Sequence, residues 1–140
     1  MGDISAHFSL HEFRCHDADE TPVPDELRAN LHGLVYGVLE PVRAEVGHPI
    51  DVLSGYRTAA HNAAVGGAPD SRHLHADAAD ISVPFMRTDD LWMLIRHLWL
   101  SNALPGLGGL GRYSTWVHVD ARPREPGMLA QWDLRTPTGG

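Results

Sequence analysis

Between Leu27 and Val46 the apolar residues Leu27, Leu31, Leu34, Val35, Val38, Leu39, Val42 and Val46 recur every three or four positions. That period lays one apolar stripe along a helix and obliges the rest of the chain to supply a surface that covers it. Pro24, Asp25 and Glu26 form the helix start, because proline loses nothing at the first helical position and acids suit the positive end of the helix dipole. Pro41 interrupts the stripe, and its missing N–H predicts a kink or the start of a second segment. Upstream, Ser9-Leu10-His11-Glu12 fits a capping box, with Phe8 and Phe13 as core anchors.

The covering surface is built from short strands. Residues 50–56 are rich in β-formers and predict a strand that ends near Gly55, and residues 58–65 predict a short helix closed by Gly66-Gly67. Ala79-Asp80-Ile81-Ser82-Val83 alternates as a half-buried strand does. Thr88-Asp89-Asp90 caps a helix whose buried stripe is Leu91, Leu94, Ile95 and Leu98. Residues 104–111 read as a glycine-rich loop, 116–121 as a final strand, and 123–140 as an irregular tail. Helices first, then strands mixed with helices, predict an α+β fold: a small antiparallel sheet with helices packed on it. At 140 residues there is room for a single domain with a real core, spanning about residues 8–122.

Composition excludes several classes of function. A net charge of −7 argues against a protein that grips nucleic acid by its phosphates. No apolar run approaches the roughly 18 residues of a membrane helix, so no membrane insertion is expected. Met1-Gly2-Asp3-Ile4-Ser5 lacks a basic region followed by an apolar run, and no secretory signal is visible. Cys15 is the only cysteine, which rules out an internal disulfide and reads as a buried thiol.

Chemistry gathers in Ser71-Arg72-His73-Leu74-His75-Ala76-Asp77-Ala78-Ala79-Asp80 and in Trp116-Val117-His118-Val119-Asp120. Alternation puts Trp116, His118 and Asp120 on one face of the later strand, and Asp80 and Ser82 on the polar face of the earlier one. If the strands are neighbours, Asp80 meets His118, and His73 returns across a tight connection. Two imidazoles and one carboxylate fill three corners of a tetrahedron and leave one for water. That is the layout of a catalytic zinc site, where the metal lowers the water's pKa to about 7. The same donors also describe the triad of non-haem iron oxygenases, but there the close H-x-D pair comes first and the lone His far downstream. His75 and Asp77 read as solvated loop residues.

The string S-x-H-x6-D, followed by W-x-H at 116–118, resembles the zinc D-alanyl-D-alanine carboxypeptidase family. Its wider group includes VanX-type dipeptidases, phage L-alanyl-D-glutamate endopeptidases and the Hedgehog signalling domain. Phe8-Ser9-Leu10-His11-Glu12-Phe13, Leu39-Glu40-Pro41-Val42-Arg43, Ser54-Gly55-Tyr56-Arg57-Thr58 and residues 62–67 are similar to its compact branch. The resemblance implies a Hedgehog/D-Ala-D-Ala-carboxypeptidase-like fold and one Zn2+ per chain on His73, Asp80 and His118. It implies that Arg57 polarises the scissile carbonyl and steadies the oxyanion. Ser71 would support the site or contact substrate, and Trp116 would wall the cleft or serve as packing. The implied activity is hydrolysis of peptide bonds in bacterial peptidoglycan, in stem peptides or cross-links, as a carboxypeptidase or an endopeptidase. A wall substrate without a visible signal implies a phage-encoded enzyme or export by other means.

Two positions depart from the family. Ala76 stands where relatives have Gly, which is tolerable at negative φ and costly at positive φ. Thr115 stands where many relatives have Glu or Asp as general base, and threonine cannot take a proton at neutral pH. Asp120 is the replacement, either as base or as the residue that orients His118. A non-catalytic zinc module on the same fold is the other reading that Thr115 permits.

Overall fold

The computed structural model describes residues 2–136. The apolar stripe forms one helical rod made of α1 (Arg28–Leu34), a π-helical stretch (Val35–Leu39) and α2 (Glu40–Val46). Pro41 lies in the first turn of α2, immediately after the π stretch. A proline ring crowds the carbonyl four residues earlier and offers no N–H, and a widened turn accommodates both. The expected interruption is therefore a change of helical winding rather than a break. Gly47, at φ 73, ends the rod in the left-handed conformation that glycine takes without a Cβ penalty.

Five strands follow: β1 (Asp51–Ser54), β2 (Ala78–Ser82), β3 (Gly109–Arg112), β4 (Val117–Asp120) and β5 (Ala130–Asp133), in the order β1-β2-β4-β3-β5. Between β1 and β2 lies α3 (Ala59–Ala64), begun by Thr58, whose hydroxyl accepts the His61 N–H at 3.1 Å. Between β2 and β3 lies α4 (Thr88–Leu100), with Asp89 and Asp90 in its first turn. Ile81, Leu110, Val117 and Val119 join Leu91, Ile95 and Leu98 of α4 and the buried stripe of the rod in one apolar cluster. Each such side chain removed from water contributes about 1.5–3 kcal/mol. The α+β class holds.

Two expectations need correction. The sheet is mixed, because β3 and β5 run parallel while the other pairings are antiparallel. The second half of the supposed glycine-rich loop is β3, and the supposed tail supplies β5. Both segments hide their nature for the same reason. β3 carries glycine at alternate positions, and β5 is a four-residue edge strand with one large apolar residue, so neither shows the alternation that marks a strand. What creates β5 is the open edge of β3, whose unpaired backbone groups accept a further strand. Residues 137–140 of that tail lie outside the described residues.

Candidate metal centre

Register assembles the site. Ser54 on β1 pairs with Asp80 on β2, Asp80 with His118 on β4, His118 with Gly111 on β3, and Gly111 with Trp132 on β5. A single row thus crosses all five strands, and residues opposite one another in such a row share a face. Asp120, two residues beyond His118, points to that face as well. His73 reaches it from the 3-10 turn Arg72–His75, where the Ser71 hydroxyl accepts the His73 N–H at 3.2 Å. Ala76 closes that turn at φ 59, so its methyl sits in the left-handed region at a cost of about 1–2 kcal/mol.

The two imidazoles are oriented by their outer nitrogens. His73 Nδ1–H donates to the Gly55 carbonyl at 2.7 Å, which turns Nε2 toward Asp80 Oδ1 at 3.2 Å. His118 Nε2–H donates to Asp120 Oδ2 at 2.8 Å, which turns Nδ1 toward the same Asp80 oxygen at 3.1 Å. Two ring lone pairs and a carboxylate oxygen therefore converge, all within 4.8 Å of one another. Three acceptors facing one another are stable only around a positive charge, so the donor set fits a metal cation of the zinc type. Without a metal a shared proton takes the cation's place, and the ring nitrogens then donate to Asp80. Burial alone would raise the Asp80 pKa, yet hydrogen bonds from His118 and His73 hold it well below the usual carboxylate range. Burial alone would lower the His118 pKa, and its bonds to Asp120 and Asp80 raise it instead.

His73, Asp80 and His118 form the floor of a cleft of about 630 Å³, with Arg57, Ser71 and Trp116 in its walls. Arg57 is held by three acceptors: Ser54 Oγ at 3.2 Å, Asn62 Oδ1 at 3.3 Å and Asp80 Oδ2 at 3.3 Å. Asn62, buried, anchors that arrangement by donating to the Ala68 carbonyl at 2.8 Å. Asp120 lies behind His118, fully buried, and accepts from Arg122 Nε at 2.9 Å, Nη2 at 2.8 Å and the Arg122 backbone N–H at 3.1 Å. Burial would raise the Asp120 pKa, but Arg122 and His118 keep it well below the usual range. Thr115 is exposed and does not line the cleft.

The sequence left several cleft residues unmarked. Tyr113 stacks on Trp116 with centroids 4.6 Å apart, and Trp132 lies 5.0 Å from the His118 ring while donating to the Tyr113 hydroxyl at 2.9 Å. Arg122 and Leu134 complete that wall. Asp77, read as solvated, is buried and paired with Arg72. One signal pointed here. A Cβ on Gly111 would stand 2.5 Å from Trp132 Nε1, and one on Gly109 would stand 2.2 Å from Asp120 Oδ2. Glycines at alternate strand positions mark close approach by other groups.

Comparison with known proteins agrees with this geometry. No curated protein matches the chain. A family model described as Peptidase M15 matches residues 6–120, a span that includes His73, Asp80 and His118 and ends at the last residue of β4. The chain belongs to the Peptidase M15 family of zinc metallopeptidases.

Proposed function

We propose that this protein is a zinc peptidase that hydrolyses peptide bonds of bacterial peptidoglycan, with one Zn2+ held by His73, Asp80 and His118. The observation that carries the reading is the pair of imidazole nitrogens aimed at one Asp80 oxygen, at 3.2 and 3.1 Å, on the floor of a cleft. A bound zinc ion supplies Lewis acidity, polarising a carbonyl and lowering the pKa of a water to about 7.

The chain's own residues do the rest. Arg57, clamped by Ser54, Asn62 and Asp80, presents its guanidinium at the edge of the ligand set, where it stabilises negative charge developing on the substrate carbonyl oxygen. Ser71 fixes the turn that delivers His73. Trp116, stacked on Tyr113, walls the cleft against the peptide. Asp120 holds the proton on His118 Nε2 and so keeps Nδ1 free to bind metal. We assign it that role rather than proton transfer, because it is fully buried behind the ring and already accepts from His118 and Arg122. A wall substrate places the action in the periplasm or outside the cell.

The exposed Thr115 favours a second reading, a zinc-binding module without turnover. Metal analysis joined to digestion of purified muropeptides, with mass spectrometry of the products, separates the two. Stoichiometric zinc with new peptide products supports the peptidase, and zinc without products supports the module. His73→Ala, Asp80→Ala and His118→Ala should each lose zinc and activity together. Full zinc affinity in His118→Ala would show the ligand set to be wrong.

A further inference from the structure

We propose that Arg122 is a positioning residue of the metal centre: through its side-on pair with Asp120 it fixes the ring of His118 and so the aim of Nδ1. This rests on the ligand set proposed above. Arg122 lies beyond residues 6–120, so membership of the family assigns it no role.

An aspartate is by itself a loose support for a histidine. Rotation about its last side-chain bond is broad and roughly twofold, so a carboxylate can accept from a ring nitrogen at many angles. Here that freedom is removed. Arg122 Nε donates to Asp120 Oδ1 at 2.9 Å and Nη2 donates to Oδ2 at 2.8 Å, and a planar fork that holds both oxygens sets the plane of the carboxylate. The Arg122 backbone N–H adds a bond to Oδ1 at 3.1 Å. Among the described residues, Asp120 thus takes three hydrogen bonds from Arg122 and one from His118 Nε2, at 2.8 Å. Turning the carboxylate would carry Oδ2, and the ring bonded to it, off the line that brings Nδ1 to 3.1 Å from Asp80 Oδ1.

The seat of the pair is built into β3 and the residue before it. A Cβ on Gly109 would stand 2.2 Å from Asp120 Oδ2, and one on Gly108 would stand 2.8 Å from Arg122 Cγ. Two consecutive glycines therefore clear room for the carboxylate and for the arginine stem. Trp132 of β5 flanks the pair, its ring centroid 5.4 Å from Arg122 Cζ and 5.0 Å from the His118 ring. Asp120 is fully buried, whereas the Arg122 side chain is 31% exposed, so trimming it opens a route for water rather than a closed cavity.

Charge alone makes the opposite prediction. A guanidinium near a metal ion repels it, and deleting one positive charge should tighten cation binding. Loss of positioning should weaken it. The sign of the change decides.

The test strips the full chain of metal and measures zinc affinity by competition with a chelator. The visible absorption of the Co2+ form, which follows the geometry of its ligands, and the urea midpoint are read alongside. Arg122→Ala should lower zinc affinity about tenfold, the lower end of the range for losing a partner that orients a metal-binding histidine, and should alter the cobalt spectrum. A lower urea midpoint with wild-type zinc affinity and cobalt spectrum would make Arg122 a structural brace and overturn the inference. Tighter zinc binding would overturn it too. Arg122→Lys keeps the charge but not the side-on fork, so it should recover no more than about twofold of the loss, and full recovery would count against the geometry. Should the alanine variant not fold, the lysine variant carries the test alone: affinity about fivefold or more below wild type supports positioning, and affinity within about twofold of wild type overturns it. In the Asp120→Asn background, Arg122→Ala should change affinity by less than about twofold, because its effect runs through Asp120; additive losses would refute that route. Absence of zinc binding by the wild-type chain refutes the ligand set itself, and this inference with it.

Discussion

Asp120→Asn separates orientation from proton transfer. The native carboxylate accepts from His118 Nε2, from Arg122 Nε and Nη2, and from the Arg122 backbone N–H. An amide oxygen in place of Oδ1 retains the Arg122 Nε and backbone bonds. The amide nitrogen then replaces Oδ2, 2.8 Å from both His118 Nε2 and Arg122 Nη2, and donor faces donor. Breaking a buried ion pair costs about 3–5 kcal/mol, but the Arg122 side chain is 31% exposed and can turn to water, so about 2–3 kcal/mol is expected here. His118 suffers more. With no acceptor at Nε2 its proton moves to Nδ1, the nitrogen that faces Asp80, and zinc affinity should fall about ten- to a hundredfold. Competition with a chelator measures the affinity, and urea unfolding followed by tryptophan fluorescence measures the stability. Activity should return at saturating zinc. Unchanged zinc affinity, with activity down by about two to four orders of magnitude in a folded protein, would make Asp120 the general base and refute this reasoning.

Arg57→Ala should keep zinc but lower kcat by roughly a hundredfold or more, the scale of one lost oxyanion donor, and Arg57→Lys should restore little; full activity in the alanine variant would make the residue structural. Gly111→Ala drives a methyl into Trp132 and should cost about 1–3 kcal/mol while displacing the indole, seen as a changed tryptophan emission; native stability and spectrum would contradict the packing of β5 on β3. Acidity acts on the metal-free protein with two signs. Asp80 and Asp120, depressed in the fold, contribute stability that is present above their ordinary value of 3.8 and lost as pH falls through their folded values. His118, raised in the fold, contributes stability that is full below 6.5 and lost as pH rises through its folded value, and since metal must displace that proton, zinc affinity should climb over the same range. Zinc affinity flat with pH across that range would remove His118 from the ligand set.

The elements that depend on local pattern were legible in the chain. The Leu27–Val46 stripe, the helix that begins at Thr88 (though Arg87, not Thr88, stands at its cap and no side chain caps it) and the alternation around Asp80 and His118 each follow from side-chain periodicity within one segment, and so did the convergence of His73, Asp80 and His118 once two strands were taken as neighbours. Pairing between distant segments was not legible. The register that sets Asp80 opposite His118, the parallel seating of β5 on β3 and the arrival of Trp132 beside His118 depend on backbone hydrogen bonds, which are the same for every sequence. The fate of the charges was equally hidden. Asp77 and Asp120 look like solvated or reactive acids in a string of letters, and only burial beside Arg72 and Arg122 turns them into the fixed partners of those arginines. Charge type belongs to the residue, whereas its solvation and its partner belong to the folded chain, because both depend on which distant groups exclude water from it.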